Sequence, residues 1–203
     1  LPISDGKILY KHQHDAVKRL EDDNKEGIRK QIINITVGLG KTLIIIRYVM
    51  YLIKNNMMPK YFVFSLPKSA IEGVKKQFKA HEMKINVLDL NKAGNGNTEI
   101  VPYCVNFVYH DDMRKGSFAS DLGNISHKLL FVLDEMHCCL RESIRTSEAL
   151  VAAKISKYFI GMTGTLVLDS DVDKLIMWLK LVSKFEVTVK NYWVAVGGLI
   201  SSR

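Results

Sequence analysis

The sequence is poor in cysteine, proline and sustained apolar runs, and each shortage removes a class of protein. Its three cysteines, Cys104, Cys138 and Cys139, lack C-x-x-C spacing and two are adjacent, which suits neither a disulfide framework nor a zinc knuckle. A reducing compartment, cytoplasmic or nuclear, is the expectation. Four prolines and thirteen glycines in 203 residues are too few for a disordered or collagen-like chain. The longest apolar stretch, Leu43 to Ile53, is broken by Arg47 and falls short of the roughly 20 residues of a membrane-spanning helix. Acidic residues are also in deficit: 21 Asp and Glu stand against 29 Lys and Arg, a net charge of +8, so the surface is basic. The chain starts at Leu1 and ends on Ser201, Ser202 and Arg203 with no targeting signal, and is expected to be an excised piece of something longer.

A hydrophobic fraction of 47% is enough to bury one full core. Short β-rich runs at 31–35, 61–66, 85–90, 103–109, 128–133 and 157–162 alternate with helical stretches, the pattern of crossover units on a mostly parallel sheet. Leu129-Leu130-Phe131-Val132-Leu133 is apolar at consecutive positions, as a strand covered on both faces requires. The expected fold class is therefore α/β, a three-layer sandwich. Ser69 and Glu72 stand at capping-box spacing before Ile71, Val74 and Phe78, and predict a helix to about Ala80 with Lys75, Lys76 and Lys79 on the other face. Ser170 and Asp173 open a second such helix to Val182, with Val172, Leu175, Ile176, Leu179 and Val182 as its stripe. Residues 91–99 and 111–127, each with two glycines, read as surface loops.

The strongest chemical signal is Thr36-Val37-Gly38-Leu39-Gly40-Lys41-Thr42, between an apolar strand and a long apolar helix. That is the context of a phosphate-binding loop. Gly38 and Gly40 let the backbone around Leu39 curl so that N–H groups point at phosphate oxygens, at the positive end of the next helix. Lys41 is placed to neutralise the β- and γ-phosphates of ATP and Thr42 to hold Mg²⁺. The full eight-residue pattern begins with glycine, whereas this chain has Ile35.

Hydrolysis needs a carboxylate at the end of a neighbouring buried strand. Asp134-Glu135-Met136-His137 follows Leu133 and supplies it: Asp134 for the Mg²⁺ hydration shell, Glu135 as base toward water. His137 reads either as a satisfied core histidine or as a sensor linking the nucleotide to the next strand end. His137, Cys138 and Cys139 do not make a metal site, because adjacent ligands converge poorly on one tetrahedral ion. The next strand ends in Thr163-Gly164-Thr165, whose hydroxyls are within plausible reach of His137 or Glu135.

These segments, in this order, resemble the first RecA-like domain of superfamily 2 helicases and translocases, of the Swi/Snf type and of the viral nucleoside triphosphatase helicases of large DNA viruses. The resemblance covers about residues 8 to 182. Within it, Leu9 to Val17, then Leu20, is similar to the family's opening segment, with Gln13 in the adenine-reading position and His12 where a Tyr is usual. The stretch from Val63 through Pro67, Lys68 and Ser69 to Phe78 is similar to the segment that grips the nucleic-acid backbone. Asp134 to His137 matches the D-E-x-H box, and Thr163 to Thr165 the coupling segment, which here continues with Leu166 instead of Pro. The resemblance implies a RecA-like P-loop NTPase fold over residues 1–196, with 197–203 leading toward a second RecA-like domain that carries arginine fingers. It implies ATP and Mg²⁺ as ligands, nucleic acid as partner with DNA ahead of RNA, and a viral factory or virion as a further location. Seven lysines against two glutamates between Lys54 and Lys84 are in keeping with backbone contacts, of which Lys68 and Ser69 are the best placed. Arg141 and Arg145 are expected on an outward helix. Two other readings stay open: a P-loop kinase, which would leave Gln13 and the Pro67–Phe78 segment without a task, and a non-catalytic scaffold, made conceivable by Ile35 and Leu166.

Overall fold

The computed structural model describes residues 9–36, 38–88, 99–164, 172–184 and 186–201. In chain order these form α1 (Lys11–Lys25), β1 (Lys30–Asn34), α2 (Lys41–Lys54), β2 (Tyr61–Leu66), α3 (Ile71–Ala80), β3 (Ile85–Val87) and β4 (Val105–Tyr109). Then follow α4 (Phe118–Leu122), β5 (Leu129–Leu133), α5 (Ile144–Ile155), β6 (Tyr158–Thr163), α6 (Val172–Val182), α7 (Tyr192–Gly197) and β7 (Ile200–Ser201). The strands make one sheet in the order β3-β4-β2-β5-β6-β1-β7, and every pairing is parallel. Among the described residues no helix is long and apolar enough to cross a membrane.

Successive strand residues face opposite sides, and the two cores follow that alternation. On one face Phe62, Phe64, Phe107, Leu130, Val132 and Ile160 meet α1, α2 and α3. On the other, Val63, Val108, Leu129, Phe131, Leu133 and Phe159 meet α4, α5, α6 and α7. The expected three-layer α/β sandwich is the observed one. Phe78 of α3 sits edge-on to Phe62, Phe64 and Phe107 at 5.6–6.0 Å between centroids, locking that helix by its Ile71, Val74 and Phe78 face.

Three local expectations are corrected. Ser69 does not cap α3: it lies inside a 3-10 turn, Lys68–Ala70, that opens from Pro67, and Glu72 pairs with Lys75 at 2.8 Å. Val172 is 39% exposed, because the buried stripe of α6 runs through Leu175, Ile176, Trp178 and Leu179. Residues 111–127 are not a surface loop. They fold as a 3-10 turn His110–Lys115, α4 and a second 3-10 turn Gly123–Lys128, with Met113, Phe118 and Leu122 buried in the core. Within the segment read as leading away from the domain, Ile200 and Ser201 pair with Ile33 and Asn34 of β1 as a seventh strand. The expected cap at Ser170 lies outside the described residues, as does most of the loop expected at 91–99.

Candidate functional site

A parallel sheet presents loops and helix N-termini along the carboxyl ends of its strands, and ligands bind there. At the end of β1 the chain turns through Gly38 (φ 85°) and Gly40 (φ 79°) into α2, a left-handed conformation that glycine adopts without a Cβ penalty. Gly40 is needed twice over, since a Cβ there would lie 2.2 Å from Gln13 Nε2. Val37 lies outside the described residues. The expected departure at Ile35 leaves the loop intact: its side chain is buried in the core beneath α1 and α2, and its N–H donates to Thr163 O at 2.9 Å. Lys41 and Thr42 open α2, Lys41 only 8% exposed. Lys41 Nζ donates to Ile35 O at 3.4 Å and lies 3.4 Å from Glu135 Oε1.

The acidic side comes from β5, separated from β1 by β6 alone. Asp134 is tied to β2 by its N–H on Ser65 O at 2.9 Å, and its Oδ1 accepts the Glu135 N–H at 2.9 Å. Glu135 is left-handed at φ 43°, which for a residue with a Cβ costs about 1–3 kcal/mol. That turn brings its carboxylate back to Lys41. Its other oxygen, Oε2, is 3.3 Å from His137 Nδ1, near enough for an ion pair with a protonated ring but misaligned for a hydrogen bond. Thr163 ends β6 between the two sites, fully buried. Thr165 lies outside the described residues.

Gln13 lies against the glycine loop. It is buried, its Nε2 donates to Leu39 O at 3.0 Å, and its Oε1 accepts the Tyr10 N–H at 3.0 Å. Both ends of the amide are engaged by the protein, so in this structure Gln13 is a strut between α1 and the glycine loop. His12 Nε2 is also 3.0 Å from Leu39 O. The sequence reading missed Tyr10, 73% exposed and stacked on His12 at 6.0 Å with 7° between planes. This flat pair at the loop's rim offers a π-face to a base; an exposed aromatic just before a helix start was the available signal.

Lys68 and Ser69 are exposed at the end of β2, and Lys68 Nζ lies 5.9 Å from the centre of the Tyr109 ring. Arg145 is not outward: it is 13% exposed and turned to Asp111 at 2.9 Å. The reading also missed His110, buried after β4 and pushed down to about 4, first by burial and then by the Arg145 charge. It stays neutral at physiological pH.

Among the described residues Asp134 carries the largest carboxylate perturbation. Burial, and then the Glu135 charge beside it, push it up to about 6. Two acids and one lysine form a set that a divalent cation would relieve, and Glu135 Oε2 is buried with no hydrogen-bond partner. Among the described residues no three His, Cys, Asp or Glu converge on one point. Mg²⁺ is generally held by one or two protein groups together with phosphates and water, and Thr42 and Asp134 are the groups here that would hold one. A Mg²⁺ ion held there would compete with the proton for Asp134. Mg-ATP affinity, measured by calorimetry, is therefore expected to fall about tenfold from pH 7.5 to pH 5, and Asp134→Asn to flatten that dependence. Affinity that ignores pH in this range would remove Asp134 from the metal's shell. The stability sign is opposite: the raised value favours the folded, protonated form at low pH, and this contribution is lost as pH rises through about 6.

The profile of the type III restriction enzyme res subunit matches residues 7–168. No curated protein matches the chain. Among solved structures, the Sulfolobus solfataricus SWI2/SNF2 ATPase core in complex with dsDNA is 20% identical, with a TM-score of 0.67 over 87% of this chain and 36% of that one. The same organism's SWI2/SNF2 ATPase core domain is 18% identical, with a TM-score of 0.67 over 90% of this chain and 36% of that one. The UvsW helicase from bacteriophage T4 is 16% identical, with a TM-score of 0.58 over 85% and 58%. These likenesses establish the RecA-like fold. The chain spans little more than a third of the SWI2/SNF2 cores.

Proposed function

Because the chain belongs to the type III restriction enzyme res subunit family, we propose that it is the ATP-binding domain of a nucleic-acid-dependent ATPase, a helicase or duplex translocase. The observation that carries this reading is the convergence, at the carboxyl edge of one sheet, of the Gly38–Gly40 turn, Lys41 and the Asp134–Glu135 pair, with Lys41 Nζ 3.4 Å from Glu135 Oε1. The backbone around Leu39 and the start of α2 bind the phosphates, and Lys41 meets the β- and γ-oxygens. Tyr10 and His12 receive the base. Thr42 and Asp134 hold Mg²⁺, which when bound neutralises charge on the phosphates. Glu135, held beside Lys41 and His137, accepts a proton from the attacking water. Thr163, at the end of the strand between the two sites, is the coupling element, with Thr165 after it.

Nucleic acid follows the exposed Lys68 and Ser69. DNA ahead of RNA is supported by the likeness to a core solved with dsDNA. The modest span of the SWI2/SNF2 cores that this chain covers supports a second RecA-like domain as partner, and the likeness to a phage helicase is in keeping with a viral source. Arg145 is turned to Asp111, and the resemblance places the arginine that stabilises the transferring phosphoryl group on the second domain, a contribution of about 10³ to 10⁵ in rate.

Steady-state ATP hydrolysis tests the reading. The 203-residue chain is expected to turn over very slowly with or without DNA, and a longer chain that includes the second domain to be DNA-stimulated. Rapid, stimulated hydrolysis by the 203 residues alone would contradict the external arginine. Phosphate transfer to a small acceptor would replace the reading with a kinase.

A further inference from the structure

The amino edge of the sheet, opposite Lys68 by the length of the six-residue β2, about 20 Å, carries cations that the nucleotide site does not use. The connections entering β2, β5 and β6, residues 54–60, 123–128 and 154–157, hold Lys54, Lys60, Lys128, Lys154 and Lys157 and no acidic residue. Arg29 stands at the same edge, before β1. Helix C-termini favour cations, which accounts for Lys54 and Lys154 in the last turns of α2 and α5 and for Lys30, whose Nζ donates to Ala153 O at 2.9 Å. Lys60, Lys157 and Arg29 lie past those helix ends. Their charges sit instead over Tyr61 and Tyr158, 5.3–5.5 Å from the ring centres. Among the described residues none of the five lysines has an acidic partner, whereas the acids before Arg29 are paired: Asp22 with Lys25, Asp23 with Arg19 and Glu26 with Lys184. Burial, and then the Lys154 charge, hold Lys30 below the usual lysine range, in keeping with like charges gathered there.

Tyr103, before β4, adds an aromatic ring to this edge. It is 76% exposed and left-handed at φ 58°, in a turn position after Pro102 that glycine usually fills. Its N–H donates to Lys60 O at 2.8 Å, so the residue is fixed beside Lys60 at a backbone cost of about 1–3 kcal/mol. In the sheet order β4-β2-β5-β6-β1, Tyr103, Lys60, Lys128, Lys157 and Arg29 follow one another across the strand starts. Four inter-strand steps of about 4.8 Å make a line of about 19 Å, the length of about six extended residues. We propose that this amino edge docks an acidic segment of a partner protein, with Tyr103 as its apolar anchor and the lysines meeting its carboxylates. Tyrosine is a usual interface anchor, and the acid-free run of lysines supplies the complementary charge. A nucleic-acid strand fits less well, because Tyr61 and Tyr158 are already covered by cations and leave no run of rings for bases. Lysine also lacks the planar fork that meets phosphate bidentately. The surface lies outside the nucleotide site and does not depend on it.

Anisotropy with a fluorescein-labelled polyglutamate peptide interrupted by phenylalanine tests the proposal. The wild-type chain is expected to bind it saturably at low salt and more weakly as salt screens the charges. Lys128→Glu combined with Lys157→Glu is expected to weaken binding at least tenfold. Tyr103→Gly is expected to weaken it at least threefold without lowering the melting temperature, because glycine takes the left-handed turn without a Cβ penalty. Lys18→Gln, exposed in the middle of α1, is expected to leave peptide binding unchanged. Mg-ATP calorimetry on the same variants should read as wild type, which checks the fold and separates this surface from the nucleotide site. Peptide that does not bind saturably, or binds the lysine and Tyr103 variants as it binds the wild type, would overturn the proposal and leave the functional reading standing. An oligonucleotide or phosphatidylserine vesicles whose binding responds to the substitutions while the peptide's does not would overturn it too, and assign the edge to nucleic acid or to a membrane surface.

Discussion

Lys41→Ala is expected to abolish measurable Mg-ATP binding while leaving the fold in place. Lys41 is 8% exposed, at the first position of α2, with its charge facing Glu135. Truncating one partner of a largely desolvated charge contact costs about 2–5 kcal/mol, or roughly 30- to several-thousand-fold in affinity. Calorimetry with Mg-ATP reads the loss and thermal melting checks the fold. A variant that melts normally and binds nucleotide as the wild type does would refute the phosphate-loop assignment. The substitution also leaves Glu135 without its cation, so a modest fall in melting temperature is part of the expectation.

Glu135→Gln is expected to keep nucleotide binding within a few-fold of wild type and to lower single-turnover hydrolysis by about 10² to 10⁴, the usual contribution of a positioned general base. The left-handed turn at Glu135 does not depend on charge, so the amide should occupy the same place. A second consequence separates this role from a structural one. The Glu135 charge is one of the causes that raise Asp134, so its removal should move the loss of Mg-ATP binding to lower pH. Wild-type turnover in the variant would place the base elsewhere. An unshifted pH profile would show that the two carboxylates do not interact.

The site was legible in the sequence where chemistry depends on order along the chain. The glycine loop and the D-E-x-H box each follow an apolar strand, and two such strand ends in a parallel sheet fall on the same edge whatever the details between them. Contacts set by long-range packing were not legible. Gln13 meets Leu39 across 26 positions and Arg145 meets Asp111 across 34, and no local signal names either partner. The 3-10 turns and α4 between His110 and Lys128 were hidden because Gly116 and Gly123 punctuate them like a loop. Burial of Met113, Phe118 and Leu122 against the sheet, together with the Ala119 N–H on Glu148 and Asp111 on Arg145, holds them in place. Ser69 failed as a cap for a related reason: Pro67 starts a tight turn that uses up the capping position before α3 begins. The short β7 was hidden by Gly197 and Gly198, which read as a departure from the domain although the next residues return to β1.

The most direct test of the nucleotide site is a crystal structure of this chain with Mg²⁺ and a non-hydrolysable ATP analogue. The account expects the phosphates in the Gly38–Gly40 turn with Lys41 Nζ on the β- and γ-oxygens. It expects the metal beside Thr42 and Asp134, the base against Tyr10 and His12, and the Glu135 carboxylate facing the γ-phosphate. Nucleotide bound away from that turn, or Lys41 remaining on Glu135 with the phosphates elsewhere, would contradict it.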